Sequence, residues 1–201
     1  MKLLFYIGTS ALICCMKNNE NPSLKIENIV ASGAVAEAID LEFISTSMKD
    51  CTYTKKKFPG AVCHMQNPKS AALIFASGRT VITGLRRPED TAGALQNLLD
   101  RLTAAGITCL ATPKIAITNI VCSCDLGHPL NLARIVVALM DHERVEYEPE
   151  VFPGLVCRIT DPKIVFLLFS SGKTIITGGK NMEDVKAGYA ILQEKLSVVP
   201  Q

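Results

Sequence analysis

The sequence predicts an α+β fold in which a curved antiparallel sheet carries helices on one face. Three observations predict it. The chain repeats itself once along its length. Each repeat runs strand, helix, four strands, helix. The strand-like runs alternate in polarity, while the last segment of each repeat carries apolar residues at helical spacing.

The repeat is read from matched motifs. Phe58-Pro59-Gly60 recurs 94 residues on as Phe152-Pro153-Gly154. At the same offset of 94, Phe75-Ala-Ser-Gly78 becomes Phe169-Ser-Ser-Gly172, and Val81-Ile-Thr-Gly84 becomes Ile175-Ile-Thr-Gly178. Tyr53, Cys63 and Glu89-Asp90 map onto Tyr147, Cys157 and Glu183-Asp184. Upstream, Asn28-Ile29-Val30 recurs as Asn119-Ile120-Val121, at an offset of 91. A unit of about 90 residues is far longer than a solenoid repeat, and two of them suggest a pseudo-two-fold arrangement. The boundaries expected are 1–22 for an N-terminal extension, 23–110 for the first repeat and 111–201 for the second.

The elements of the first repeat follow in order. Leu24–Ser32 has strand composition and places Asn28 and Val30 on one face. Asp40–Met48 suits a short helix capped by Asp40. Ala61–Gln66, Ala71–Ala76 and Arg79–Gly84 read as strands, separated by Asn67-Pro68 and Ser77-Gly78 turns. Glu89 and Asp90 favour a helix N-terminus. Leu95, Leu98, Leu99 and Leu102 then form a helical stripe that Gly106 ends. In the second repeat the stripe is Val185, Tyr189, Leu192 and Leu196.

Helices can cover only one face of such a sheet. On the other, alternation gathers Arg79, Val81 and Thr83 in the first repeat and Lys173, Ile175 and Thr177 in the second. Each set puts an apolar residue and a small hydroxyl inside a cationic rim. That pattern suits a DNA minor groove: cations meet phosphates, and apolar side chains meet a floor with few donors.

The residues also resemble a known family. Glu27-Asn-Ile-Val30, Ala72-Leu-Ile-Phe-Ala-Ser-Gly78, Tyr147-Glu-Pro-Glu-Val-Phe-Pro-Gly-Leu155 and Leu168-Phe-Ser-Ser-Gly-Lys173 are similar to the TATA-binding protein core, and the likeness covers residues 23–198. The resemblance implies a saddle-shaped fold and a non-enzymatic transcription initiation factor that kinks A·T-rich promoter DNA. Kinking by inserted apolar side chains is a known behaviour of this family, so the kink comes with the resemblance. It assigns the wedges to Phe58 and Phe75, and to Phe152 and Phe169. It gives Asn28 and Asn119 hydrogen bonds to groove acceptors, helped by Thr83 and Thr177. Val30, Val81, Val121 and Ile175 would touch the groove floor, and Lys57, Arg79, Arg158 and Lys173 would hold phosphates.

One asymmetry is legible without the family. Thr54-Lys55-Lys56 corresponds to Glu148-Pro149-Glu150, so one loop is basic and the other acidic. Carboxylates beside phosphates are unfavourable, so Glu148 and Glu150 should face away from DNA. The resemblance makes that loop the docking edge for transcription factor B, with Val151 as the apolar contact and RNA polymerase recruited indirectly. There are departures from the family. His64 stands where Arg is usual, which exchanges a permanent cation for a titratable one. Cys63 and Cys157 replace a common Tyr. The Leu95–Ala105 helix lacks a basic cluster, which suggests the archaeal type and, with the overall drift, a secondary paralogue. The alternative is a regulatory paralogue that binds DNA weakly and acts through partner proteins.

Composition narrows the rest. With 21 Lys and Arg against 19 Asp and Glu, net charge is only +2, so a nucleic-acid role rests on where charges sit. Eight Cys include no CxxC pair, and Cys122-x-Cys124 lacks the further ligands a structural zinc needs, so no metal or other cofactor is expected. Buried thiols in a reducing compartment are the expected state. His64, His128 and His142 lack repeat-matched partners or a neighbouring nucleophile motif, which argues against an enzyme. The apolar run Leu3–Cys15 is short for a bilayer, which needs about 20 residues. It is expected to be an extension from an upstream start codon rather than a targeting segment, with a cytoplasmic, nucleoid-associated protein and no membrane partner.

Overall fold

The structure is a computed structural model, and it describes residues 24–140 and 144–199. The expected N-terminal extension lies outside them. The first repeat contains β1 (Lys25–Ala34), α1 (Leu41–Ser47), β2 (Cys51–Thr52), β3 (Gly60–Gln66), β4 (Lys69–Phe75), β5 (Arg79–Leu85) and α2 (Asp90–Ala104). The second contains β6 (Lys114–Asp125), α3 (Leu132–Leu139), β7 (Arg144–Glu146), β8 (Leu155–Ile159), β9 (Ile164–Leu168), β10 (Lys173–Gly179) and α4 (Met182–Ser197). Both follow the order strand, helix, four strands, helix.

Local chemistry accounts for the boundaries. The Asp40 carboxylate accepts from the N–H groups of Glu42 and Phe43 at 3.0 and 3.1 Å, which starts α1. Asn181 accepts from Asp184 N at 2.7 Å and starts α4. Ile107 N donates to Leu102 O at 2.9 Å across Gly106, closing α2.

The ten strands form one curved, unclosed antiparallel sheet in the order β2-β3-β4-β5-β1-β6-β10-β9-β8-β7. This order maps onto itself when the repeats are exchanged. The central pair is β1 with β6, where Val30 faces Asn119 and Asn28 faces Val121. The pseudo-two-fold axis passes between these pairs.

One face of every strand is buried by the helices. Ile29, Ile74, Ile82, Ile120, Phe166, Leu168 and Ile176 are fully buried there with Leu98, Leu102, Val185 and Leu192. The stripe on α2 is narrower than expected. Ala94, Leu98 and Leu102 face the sheet, whereas Leu95 and Leu99 flank the core half-buried, because one straight helix on a sheet buries little more than one row. Leu196 of α4 is likewise a flanking residue.

The thiol expectation needs a correction at two positions. Cys51 and Cys63 are opposite residues of β2 and β3, and they form a disulfide. The repeat counterpart of Cys63 is Cys157, which faces Val145 and so has no sulfur opposite. Cys122 and Cys124 are buried thiols as expected, and burial pushes both up to about 11.

Candidate nucleic-acid interface

The face away from the helices is covered by no element of the described chain. Asn28, Val30, Val81, Thr83, Asn119, Val121, Ile175 and Thr177 all lie on it half-buried, each next in sequence to one of Ile29, Ile82, Ile120 and Ile176, which are buried under the helices. Alternation therefore placed the apolar and amide residues correctly.

Two cross-strand rows run over this face. In the first half the row is Val62, Leu73, Val81, Ser32 and Ala116. In the second it is Val156, Leu167, Ile175, Ser123 and Lys25. Val62, Leu73, Val156 and Leu167 were not singled out from the sequence. The same alternation would have found them, since Leu73 is in phase with Phe75, and Leu167 with Phe169.

The central asparagines are locked in one orientation. Asn28 Oδ1 accepts from Gly84 N at 2.7 Å, and Asn28 Nδ2 donates to Thr83 Oγ1 at 3.2 Å. Asn119 repeats this with Gly178 N at 2.8 Å and Thr177 Oγ1 at 3.1 Å. A backbone N–H can only donate, so it fixes which amide atom is oxygen. The second hydrogen of each Nδ2 has no acceptor among the described residues, and both asparagines lie on the uncovered face. Gly84 and Gly178 turn at φ of +90° and +104°, a conformation that side chains other than Gly resist, so these glycines present the N–H that sets the lock.

At the two ends of the face stand the phenylalanine pairs. Phe58 and Phe75 have ring centroids 5.7 Å apart, tilted by 58°. Phe152 and Phe169 are 5.8 Å apart at 68°. All four are half-buried, whereas Phe166 and Tyr189 are buried in the core. Each pair is seated on a glycine. A Cβ at Gly60 would lie 2.8 Å from Phe58 Cε1 and 3.3 Å from Phe75 Cδ1. At Gly154 it would lie 2.7 Å from Phe152 Cε1 and 3.1 Å from Phe169 Cε1. The Phe-Pro-Gly motif thus needs its glycine because the rings occupy the space of a side chain.

Cations rim the face. Lys57, Arg79, Arg158 and Lys173 are exposed. Arg158 also pairs with Glu146 at 3.4 Å, and Arg144 lies opposite it on β7. Lys69, Arg86, Arg87, Arg144 and Lys163, which the sequence did not single out, join His64 and Arg158 in two basic groups beside these. His64, Lys69, Arg86 and Arg87 line a groove beside Thr83, and Lys163 joins Arg144 and Arg158 at the repeat-related place. These charges are scattered in sequence, so only the sheet pairing assembles them.

The two loops before the phenylalanine pairs share one backbone form. Lys57 N and Phe58 N donate to Thr54 O at 2.8 and 3.1 Å, and Val151 N and Phe152 N donate to Glu148 O, both at 2.9 Å. Glu148, Glu150 and Val151 are exposed, and Val151 is 80% accessible. Among the described residues no cluster of three metal-ligating side chains occurs, and no helix is long and apolar enough to cross a membrane.

Comparisons with known proteins agree with this geometry. A family model described as transcription factor TFIID, or TATA-binding protein, matches residues 23–105 and 114–198. The chain is 45% identical over 174 residues to TATA-box-binding protein 2 of Methanosarcina mazei, covering 87% of this chain and 94% of that protein. It is 45% identical over 173 residues to the TATA-box-binding protein of Archaeoglobus fulgidus, covering 86% and 94%. Among solved structures, Methanococcus jannaschii TBP superposes with a TM-score of 0.75 at 41% identity, covering 88% of this chain and 99% of that one.

Proposed function

The chain belongs to the TATA-binding protein family, and from that premise we propose that it reads and kinks the minor groove of A·T-rich promoter DNA and recruits transcription factor B and, through it, RNA polymerase. Membership makes it a DNA-binding factor of transcription initiation and not an enzyme. The steps and residues below are the proposal.

The observation that carries it is the paired asparagine lock. A·T and T·A pairs present only acceptors in the minor groove, whereas G·C adds a donor. Asn28 and Asn119 each offer an outward N–H at the centre of the face, with Oδ1 already occupied by Gly84 or Gly178. Val30 and Val121 flank them and offer the guanine amino group no acceptor. The centre therefore donates to acceptors and excludes a donor, without telling A·T from T·A.

The flanking rows supply apolar contact with the groove floor. Lys57, Arg79, Arg158 and Lys173 hold the phosphates on either side. The Phe58–Phe75 and Phe152–Phe169 pairs insert between base steps at the two ends, and the duplex kinks where stacking is broken. Transcription factor B docks on Glu148, Glu150 and Val151, an exposed acidic and apolar edge that a phosphate backbone would repel.

A competition titration tests the reading. A duplex with an A·T-rich element should bind tightly and tolerate A·T to T·A swaps at its centre. One central G·C pair should weaken binding by about tenfold or more, the usual scale for one mismatched pair. Equal affinity for all three duplexes would overturn it.

A further inference from the structure

Exchange of the two repeats keeps the apolar rows, the asparagines and the phenylalanine pairs of the open face, and changes one cluster beside its centre. Lys25 of β1 lies opposite Ser123, and its repeat counterpart Ala116 lies opposite Ser32. Glu27 corresponds to Thr118. In the second-repeat half, Glu27 Oε1 accepts from Ser123 Oγ at 2.8 Å and pairs with Lys25 Nζ at 2.9 Å. Both partners use the same oxygen, so Oε2 has no partner among the described residues. In the first-repeat half Ala116 has no polar side-chain atom, and Thr118 Oγ1 donates to Val30 O at 3.2 Å. One half of a pseudo-symmetric surface thus holds a carboxylate with a spare acceptor, and the other half does not.

Lys25 and Ser123 lie on the binding face, and Glu27, at the register shift between Ile26 and Asn28, is bonded to both. Ser123 is in phase with Val121 and opposite Ile175, both on that face. Lys25 and Ser123 line the cleft between the sheet centre and the second wedge, together with Ile175, Lys173 and Phe169. The neighbouring Lys25 and Ser123 hold the Glu27 carboxyl below its usual range, so it is an anion there.

A carboxylate accepts hydrogen bonds and donates none. An A·T floor offers it only other acceptors. A G·C pair offers the exocyclic amino group of guanine. We propose that the Lys25–Glu27–Ser123 cluster is a specificity determinant that takes the amino group of one guanine in the second-repeat half of the site, and so fixes which way round the protein sits on DNA. This rests on the minor-groove reading above. It does not conflict with exclusion of guanine at the centre, where the outward groups are donors. Lys25 balances the carboxylate, so the anion does not repel the flanking phosphates.

Inosine separates this contact from other effects of a G·C pair, because it pairs with cytosine but lacks the amino group. A set of A·T-rich duplexes carrying one G·C or one I·C pair, stepped from the centre to one end, is titrated with the protein. At one off-centre position guanine should bind about tenfold tighter than inosine, the scale of a hydrogen bond to a charged group. Glu27→Thr, which installs the residue of the other repeat, should bring the two affinities together at that position. The ratio of the two is insensitive to any general loss of affinity in the variant. A duplex with one guanine in each half gives a second readout. A single orientation can satisfy only one of them, so Ala116→Lys with Thr118→Glu should tighten its binding several-fold. Equal guanine and inosine affinities at every position, on duplexes whose all-A·T parent binds well, would overturn the cluster's role and leave the minor-groove reading standing. Failure to bind the all-A·T parent would overturn both.

Discussion

At the scale of single residues, orientation matters more than identity. Asn28 and Asn119 matter because Gly84 N and Gly178 N occupy their oxygens and leave an N–H to spare. Asn119→Asp keeps the bond from Gly178 N and replaces the outward donor by an acceptor facing acceptors. It should cost about 1–3 kcal/mol of DNA binding, the range for leaving a buried polar group unsatisfied, with little change in melting temperature. Isothermal titration beside a melting curve checks it, and unchanged affinity would remove the asparagine from the readout. The amide and valine positions were legible in the sequence, because strand alternation puts side chains two apart on one face. The lock was not, since it joins residues 55 to 59 positions apart through a sheet pairing that sequence does not display. The Cys51–Cys63 disulfide was missed for the same reason: two cysteines 12 residues apart reveal nothing until β2 and β3 pair. The buried thiols give a chemical check. With Cys122 and Cys124 pushed up to about 11, few thiolates exist at neutral pH, and iodoacetamide should leave both unmodified in the native protein. Mass mapping of either residue as alkylated without denaturant would contradict their placement.

At the scale of elements, each proposed wedge joins a loop, a ring pair and a glycine. Phe152 and Phe169 are half-buried with ring centroids 5.8 Å apart, whereas Phe166 is fully buried. Phe166→Ala should therefore destabilise the fold by about 3–5 kcal/mol, and Phe152→Ala should not approach that. Chemical denaturation of both variants distinguishes core from wedge, and similar losses would place Phe152 in the core. Gly154→Ala pushes a methyl into the Phe152 ring and should impair bending though no wedge atom is removed. The two loops invite a paired test. Changing Glu148 and Glu150 to Lys should keep or slightly strengthen DNA binding and abolish recruitment of transcription factor B. Changing Lys55 and Lys56 to Glu should weaken DNA binding and leave the partner contact largely alone. A gel shift with and without the partner reads all four outcomes, and identical behaviour of the two variants would place the partner site elsewhere. The loops and the phenylalanine pairs are legible in the sequence because the repeat aligns them. The gathering of Lys69, Arg86 and Arg87 around His64 could not be read there, because these residues come from different strands and connections.

At the scale of the whole molecule, duplication sets the geometry. Two repeats joined through β1 and β6 give a strand order that maps onto itself, an uncovered face with two wedges, and a central pair of donors. The repeat offset predicted that pseudo-symmetry, and the alternation predicted which face stays open. The proposed distinct roles fall where the symmetry is broken: the acidic loop for a partner, and Glu27 for polarity. The central claim is that this face kinks DNA with its phenylalanine pairs, and end-to-end fluorescence transfer on a short duplex tests it most directly. With an A·T-rich element, saturating protein should shorten the end-to-end distance. Phe152→Ala with Phe169→Ala, at concentrations that restore saturation, should return the distance most of the way to that of free DNA. A distance unchanged by the wild-type protein, or shortened equally by the double variant, would contradict the account.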